Sequence, residues 1–234
     1  MTKDTAILFF HNTSLDEANS KNWLHNNGKK NQILAEKLIK ETFNKVNKAG
    51  LPVISINSSI QNGNTFGEKL TNAILSVYNL GFQKVIVVGS DCPKLSVLNI
   101  KQTSQFIADD NIVLGPDTNG GVYLIALHKN NFDKQLFVKL PWNTKDIFNA
   151  LVNYSLEVQA CLTYLQKRAD FHKRISVSSY FELKNLLPWE LVKKITSLFT
   201  PIYTTNIFAF LFIPHITLTY KSLRAPPIPP SFSF

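Results

Sequence analysis

The stretch VIVVGSDCP, residues 85–93, decides the fold class. Residues 85–88 are four consecutive apolar side chains, three of them valine, as expected of a strand buried on both faces of a parallel sheet. Gly89 lets the backbone leave the strand tightly, and Pro93 stiffens the exit. Ligands of open parallel sheets bind beyond the carboxyl ends of the strands. The stretch therefore predicts a functional site at Asp91.

Strand and helix patterns alternate on both sides of this stretch. The other predicted strands are 6–10, 52–56, 112–114, 122–127 and 158–165, and the predicted helices are 33–49, 66–80, 96–108, 144–151 and 188–198. Thr65 and Glu68 have the spacing of a capping box before the second of these helices. Residues 11–28 are interpreted as a loop. The alternation predicts an α/β fold, a three-layer sandwich of helices around a mostly parallel sheet.

Length and composition fit one enzyme-sized domain. The chain has 234 residues and a formal net charge of +9, with its lysines scattered rather than gathered in one stripe. The charge suits an anionic partner such as a nucleotide, or is simply a solvated surface, and without a basic stripe no nucleic-acid partner is predicted. Two cysteines, Cys92 and Cys161, are too few for a disulfide framework or a four-cysteine zinc site.

The two ends of the chain give expectations about domains and location. The apolar run at 6–10 is too short for a signal peptide, so we expect a cytoplasmic protein. The domain is predicted to span residues 1–199, and residues 200–234 are predicted to form a poorly ordered tail, apolar and then proline-rich. The apolar run at 207–213 is too short to cross a membrane, so no firm membrane association is expected.

Asp91 has two interpretations on spacing alone. A buried carboxylate needs a cation or backbone N–H groups, and a divalent cation with phosphate oxygens supplies the first. The alternative is that Asp91 caps the following helix. A second polar segment, GPDTNGG at 115–121, joins two predicted strands and is either an ordinary turn or a place where a ligand approaches the backbone closely.

Three motifs in register resemble a known family. They are GSDCP at 89–93, VLGP and GGVYLI at 113–116 and 120–125, and PWNT at 141–144. Together they resemble the bacterial glycosyltransferase-like family called domain of unknown function 2064, in the GT-A superfamily of nucleotide-diphospho-sugar transferases. The resemblance extends over about residues 5–198 and implies a GT-A fold.

The resemblance also implies roles for single residues. Asp91 matches an acidic position expected to hold Mg²⁺ or Mn²⁺ and the nucleotide diphosphate, next to Ser90. Asp117 is the first candidate for a catalytic base, and the expected substrate contacts are Ser90, Asn119, Gly120, Gly121, Trp142 and Thr144. For the last two the alternative is structural: Trp142 packs and Thr144 caps a helix. Asp170 and His172 stand where the family carries a further acidic element and are the remaining metal-ligand candidates, or a solvated surface loop.

One segment departs from the family. The glycine-rich, basic loop expected after the first strand is replaced by HNTSLDEANSK, residues 11–21. Flexible lysines such as Lys21 do not reproduce a fixed nest of N–H groups.

The leading hypothesis from the family resemblance is a metal-dependent transferase using a nucleotide sugar. The alternatives are a nucleotidyltransferase that releases pyrophosphate and a non-catalytic binding or scaffold protein.

Overall fold

The computed structural model describes residues 4–24, 27–168 and five further positions, 189, 191–193 and 195. The predicted tail, most of the predicted helix 188–198, and both Asp170 and His172 lie outside the described residues. The predicted boundary at residue 199 stays a prediction for the same reason.

The described chain contains six strands and six α-helices. The strands are β1 (Thr5–His11), β2 (Val53–Asn57), β3 (Lys84–Val88), β4 (Asn111–Pro116), β5 (Val122–His128) and β6 (Cys161–Tyr164). The helices are α1 (Ser14–Lys21), α2 (Gly28–Lys48), α3 (Phe66–Asn79), α4 (Val97–Phe106), α5 (Lys134–Val138) and α6 (Ile147–Glu157). None of the described helices is both long and apolar enough to span a membrane.

The strands form one mostly parallel sheet in the order β2-β1-β3-β5-β4-β6. β1 pairs in parallel with β2 and β3, and β4 pairs in parallel with β6. β5 is the exception, because it runs antiparallel to both of its neighbours. Its amino end therefore lies at the same edge as the carboxyl ends of β1, β3 and β4.

Helices cover both faces of this sheet. Successive strand residues point to opposite faces, so Leu8 of β1 packs in a core with side chains of α3, α5 and α6, whereas Ile7 packs with those of α2 and α4. β3 is buried from Val85 to Val88, as its apolar run predicts. The predicted three-layer α/β sandwich is confirmed.

The interpretation of residues 11–28 as a loop is wrong, because residues 14–21 form α1. Thr13 caps this helix by accepting a hydrogen bond from the Asp16 N–H, and acidic residues occupy its first turn. The helix has eight residues and no apolar stripe, so periodicity does not reveal it. The chain just beyond its carboxyl end is anchored in the protein interior, because Trp23 is completely buried.

Candidate functional site

A cleft of about 930 Å³ opens at the edge of the sheet where β1, β3 and β4 end and β5 begins. It is lined by seven of the predicted site residues: Ser90, Asp91, Asp117, Asn119, Gly121, Trp142 and Thr144. These residues come from three separate motifs, and the fold brings them to one place. The roles assigned to these residues stay predictions.

Asp91 lies three residues beyond the end of β3, with its side chain 31% exposed. Its Oδ2 is 3.2 Å from the Nζ of Lys21, and its Oδ1 lies over the α-carbon of Gly89, where an added Cβ would be 3.1 Å away. The helix that comes next, α4, is capped by Ser96, which forms a capping box with Asn99. The interpretation of Asp91 as the helix cap is therefore wrong, and its described partner is a cation.

Lys21 reaches Asp91 from the last turn of α1, a position favourable for a positive charge. Asn22, in the left-handed conformation at φ 42°, ends the helix and donates its N–H to the Ala18 carbonyl. The side chain of Asn31, on α2, donates to Asn22 Oδ1 at 3.1 Å and accepts from the Leu24 N–H at 2.7 Å. The backbone that carries Lys21 is thus fixed against α2.

Glu17 also lines the cleft, and sequence reasoning did not select it. Its carboxylate is one turn before Lys21 on α1, accepts a 2.7 Å hydrogen bond from the Asn12 side chain, and belongs to a residue only 5% exposed. Burial raises the pKa of Glu17, as does the charge of Asp91, whereas Asn12 and Lys21 act in the opposite direction. A buried acid in a cleft is typical of functional sites.

Asp117 organises the turn between β4 and β5. Its Oδ1 accepts hydrogen bonds from the N–H groups of Asn119, at 2.5 Å, and Gly121, at 2.8 Å. Only 7% of the residue is exposed. Asp117 therefore has a clear structural role, and its other oxygen, Oδ2, lies against Gly121.

Gly120 is not among the residues that line the cleft. It has a φ of 88°, and an added Cβ there would meet the carbonyl of Lys145. Its own carbonyl accepts a hydrogen bond from the Phe148 N–H at 3.1 Å. The described contacts of Gly120 thus join the turn to the start of α6.

Trp142 and Thr144 line the cleft and also make structural contacts. The Trp142 indole donates to the Phe137 carbonyl at 3.0 Å, and its ring lies 5.7 Å from that of Phe66, on α3. The Thr144 hydroxyl donates to the Pro141 carbonyl and accepts from the N–H of Asp146, the N-cap residue of α6. Thr144 therefore stabilises the turn before the helix rather than being the N-cap itself.

His11 is a second cleft residue that the sequence did not single out. Its ring stacks on Phe9, with the centroids 4.3 Å apart. Because Nδ1 is 2.6 Å from the Asn12 carbonyl, it carries the proton, which leaves Nε2 to accept from the Ser55 hydroxyl at 3.2 Å. Burial lowers the pKa of His11, and the hydrogen bond to Asn12 offsets part of this effect.

The described residues do not fit a divalent metal by themselves. Within residues 4–24 and 27–168, no group of three histidine, cysteine or carboxylate side chains is arranged to hold a metal ion. Asp91 is the one predicted ligand that is described, and the ammonium group of Lys21 lies against its Oδ2. A metal at this oxygen would have to face that positive charge.

The sheet and its helices define the fold class: the fold is that of the GT-A-type nucleotide-diphospho-sugar transferases. Similar in fold is the crystal structure of a candidate nucleotide-diphospho-sugar transferase from Desulfovibrio desulfuricans G20, with a TM-score of 0.71 and 16% sequence identity. The likeness covers 85% of this chain and 97% of that chain. At this identity the likeness establishes the fold alone.

A family model matches part of the chain. The model of the family described as uncharacterized proteins conserved in bacteria, DUF2064, matches residues 33–144. This confirms the family that the three motifs indicated. A search of the curated proteins gave no significant match.

Two further solved structures match at lower TM-scores. A glycosyltransferase involved in glycosylation of the major capsid of PBCV-1 is 12% identical, covers 69% of this chain and 81% of its own, and has a TM-score of 0.43. Glucosyl-3-phosphoglycerate synthase from Mycobacterium tuberculosis, solved with Mn²⁺ and uridine diphosphate, is 9% identical. It covers 80% of this chain and 81% of its own with a TM-score of 0.38. TM-scores this low carry no argument about this chain.

Proposed function

We propose that the protein is a transferase that uses a nucleotide-activated sugar and binds the diphosphate of that substrate at the Lys21 ammonium, beside Asp91. One observation carries the proposal: Asp91 follows a buried strand, lines a large cleft and forms an ion pair with Lys21. The fold class supports this placement, because ligands of such sheets bind beyond the strand ends. A volume of about 930 Å³ is large enough for a nucleotide sugar.

The cleft carries lysine side chains that can contact an anionic substrate. Lys69 and Lys145 line it together with Lys21. The carboxylate of Asp117 accepts two backbone N–H groups, and that of Glu17 accepts the Asn12 amide, so both have hydrogen-bond donors of their own. Lys69 and Lys145 can therefore attract the phosphates, and Lys21, paired with Asp91, adds a third ammonium group.

The proposed reaction divides the cleft into two parts. The bond between the anomeric carbon and the diphosphate oxygen breaks, and its electron pair leaves with the diphosphate. Positive charge near Asp91 stabilises that leaving group, which is the main electrostatic demand of the step. An acceptor oxygen forms the new bond near the turn at 119–121 and the wall at 142–144, and its proton passes to a base, for which Asp117 stays the predicted residue.

Divalent-metal dependence is the finer prediction that the family resemblance adds. Mg²⁺ and Mn²⁺ are commonly held by one or two carboxylates together with substrate phosphates. The described residues offer Asp91 for this purpose but pair it with Lys21, so no part of the proposed step depends on a metal. Asp170 and His172 stay predicted ligands outside the described residues.

A thermal-shift screen tests the proposal. The full chain is heated with nucleoside diphosphates, nucleoside triphosphates and nucleotide sugars, because a ligand that binds only the folded state raises the melting temperature. A shift with one nucleotide that is changed in Asp91→Ala, but kept in Asp110→Ala, supports the proposal. Asp110 is a suitable control because it is exposed and directly precedes β4, at the opposite edge of the sheet.

Product analysis separates the remaining candidates. Release of a nucleoside diphosphate identifies a sugar transferase, and release of pyrophosphate identifies the nucleotidyltransferase alternative. No shift with any nucleotide, from a chain that unfolds cooperatively, would contradict both and support a non-catalytic role.

A further inference from the structure

We propose that Lys21 is the resident cation of Asp91, and that the nucleotide diphosphate binds against the Lys21 ammonium without a divalent metal. The inference rests on the proposed function, since it specifies how the same cleft neutralises its substrate. Lys21 of α1 then neutralises the diphosphate, a role that the family resemblance gives to a metal ion.

The geometry at Asp91 is the first argument. Oδ2 is 3.2 Å from Lys21 Nζ, and Oδ1 lies against the backbone at Gly89. A divalent ion bound to Oδ2 would be ~2 Å from that oxygen and would crowd the ammonium group. An ammonium group at this distance and a bound metal cannot share this side of the carboxylate.

The rigidity of Lys21 is the second argument. A lysine on a mobile surface is a poor substitute for a metal, because its charge has no fixed position. Here the α1 end is held by Asn22 and the buried Asn31, and only 23% of the Lys21 side chain is exposed. The backbone that carries this charge is therefore held in place beside Asp91 before any ligand arrives.

The two neighbouring carboxylates are the third argument. Glu17 and Asp91 interact electrostatically within the cleft, and Lys21 favours the charged form of Glu17. Removing the ammonium would leave these two carboxylates without the cation that now lies beside them. Hard divalent cations prefer oxygen ligands of this kind. Loss of Lys21 should therefore create a metal requirement that the wild-type protein lacks.

The experiment compares the wild-type chain with Lys21→Met, Lys21→Arg and Lys48→Met. Methionine keeps most of the length of the side chain and removes its charge, whereas arginine keeps the charge. Lys48→Met is the matched control because Lys48 is exposed at the end of α2. Affinity for uridine, guanosine, adenosine, cytidine and thymidine diphosphates is measured by calorimetry, first in EDTA and then with Mn²⁺.

The expected results are specific to each variant. Wild type, Lys21→Arg and Lys48→Met bind one diphosphate equally well in EDTA and in Mn²⁺. Lys21→Met binds it at least ~10-fold more weakly in EDTA and recovers most of the loss with Mn²⁺, as expected for loss of one strong charge contact. Electron paramagnetic resonance of Mn²⁺ without nucleotide should show uptake by Lys21→Met and none by wild type.

Two results would overturn the inference in distinguishable ways. Nucleotide binding by wild type that appears only with Mn²⁺ would overturn this inference and leave the proposed function intact. No binding of any diphosphate in either condition would overturn the proposed function and this inference with it. If Lys21→Met does not fold, the wild-type comparison in EDTA and Mn²⁺ still decides.

Discussion

Asp117 and Gly121 are joined by two hydrogen bonds. The Asp117 N–H donates to the Gly121 carbonyl at 2.9 Å, and the Gly121 N–H donates to Asp117 Oδ1 at 2.8 Å. The pair closes the turn between β4 and β5, and the same Oδ1 also accepts a hydrogen bond from the Asn119 N–H. The carboxylate is therefore part of the backbone architecture, whatever chemistry it also performs.

Substituting Asp117 separates these two roles. Asp117→Ala removes the acceptor of two N–H groups and should lower the free energy of unfolding by about 1–3 kcal/mol. Asp117→Asn keeps an oxygen acceptor and should cost clearly less. Urea unfolding measures both variants. If Asp117 is also the base, Asp117→Asn should be folded and inactive in the transfer assay, whereas full activity would exclude that role.

Gly67 is predicted to be essential for the position of Trp142. A Cβ at residue 67 would collide with the Val138 carbonyl and with Trp142 Cδ1, so Gly67→Ala should displace the indole and destabilise the fold by about 1–3 kcal/mol. Gly28→Ala is the control, because a Cβ there meets nothing within 4 Å. Thermal melts and the shift in tryptophan fluorescence check the pair. Equal stability of the two variants would contradict the described packing.

The ionised Glu17 side chain should lower the free energy of unfolding near neutral pH. Its pKa is raised in the folded state, so between its ordinary value of 4.5 and the folded value the folded chain binds more protons than the unfolded chain. Stability therefore falls as the pH rises through that interval, and the cost is absent below 4.5. Glu17→Gln cannot ionise and keeps an oxygen for Asn12, so it should be more stable than wild type at neutral pH.

Urea unfolding at several pH values measures this difference. The advantage of Glu17→Gln should shrink as the pH is lowered towards 4.5, whereas the exposed Glu36→Gln should show little change at any pH. A Glu17→Gln variant less stable than wild type at neutral pH would show that the ionised carboxylate is fully compensated in the folded protein.

Tyr154 should be a structural residue whose hydroxyl is needed. Its OH donates to the Asn131 carbonyl at 3.0 Å and accepts from the Asp133 N–H at 2.8 Å, and burial raises its pKa above the ordinary range. Tyr154→Phe leaves both backbone groups without this partner and should cost about 1–3 kcal/mol. Tyr164→Phe, at a residue 52% exposed, should change little. Chemical denaturation compares the two.

Local sequence signals predicted most of the fold because each depends on neighbours along the chain. Residues 85–88 indicated a buried strand, and Thr65 with Glu68 form the predicted capping box. The motif at 89–93 also located the cleft, since the end of a parallel strand is the general ligand position. These inferences needed no knowledge of distant contacts.

The Lys21–Asp91 pair and two short helices were not predicted from the sequence. Lys21 and Asp91 are 70 residues apart, and nothing in the sequence around either residue indicates that they pair. α1 was overlooked because its buried residues are Glu17 and Ala18, which give no apolar stripe. The five-residue helix α5 was missed because so short a helix has no period to detect.

The antiparallel strand β5 has a consequence for the order of folding. β4 and β5 are neighbours in sequence and can close as a hairpin through residues 117–121, whereas β3 must find β5 across the intervening helix α4. Local pairings of this kind form at lower entropic cost than distant ones. We expect substitutions in the 117–121 turn to slow refolding more than they speed unfolding, as stopped-flow kinetics can measure. The turn that lines the cleft would then also determine the rate at which the whole sheet folds.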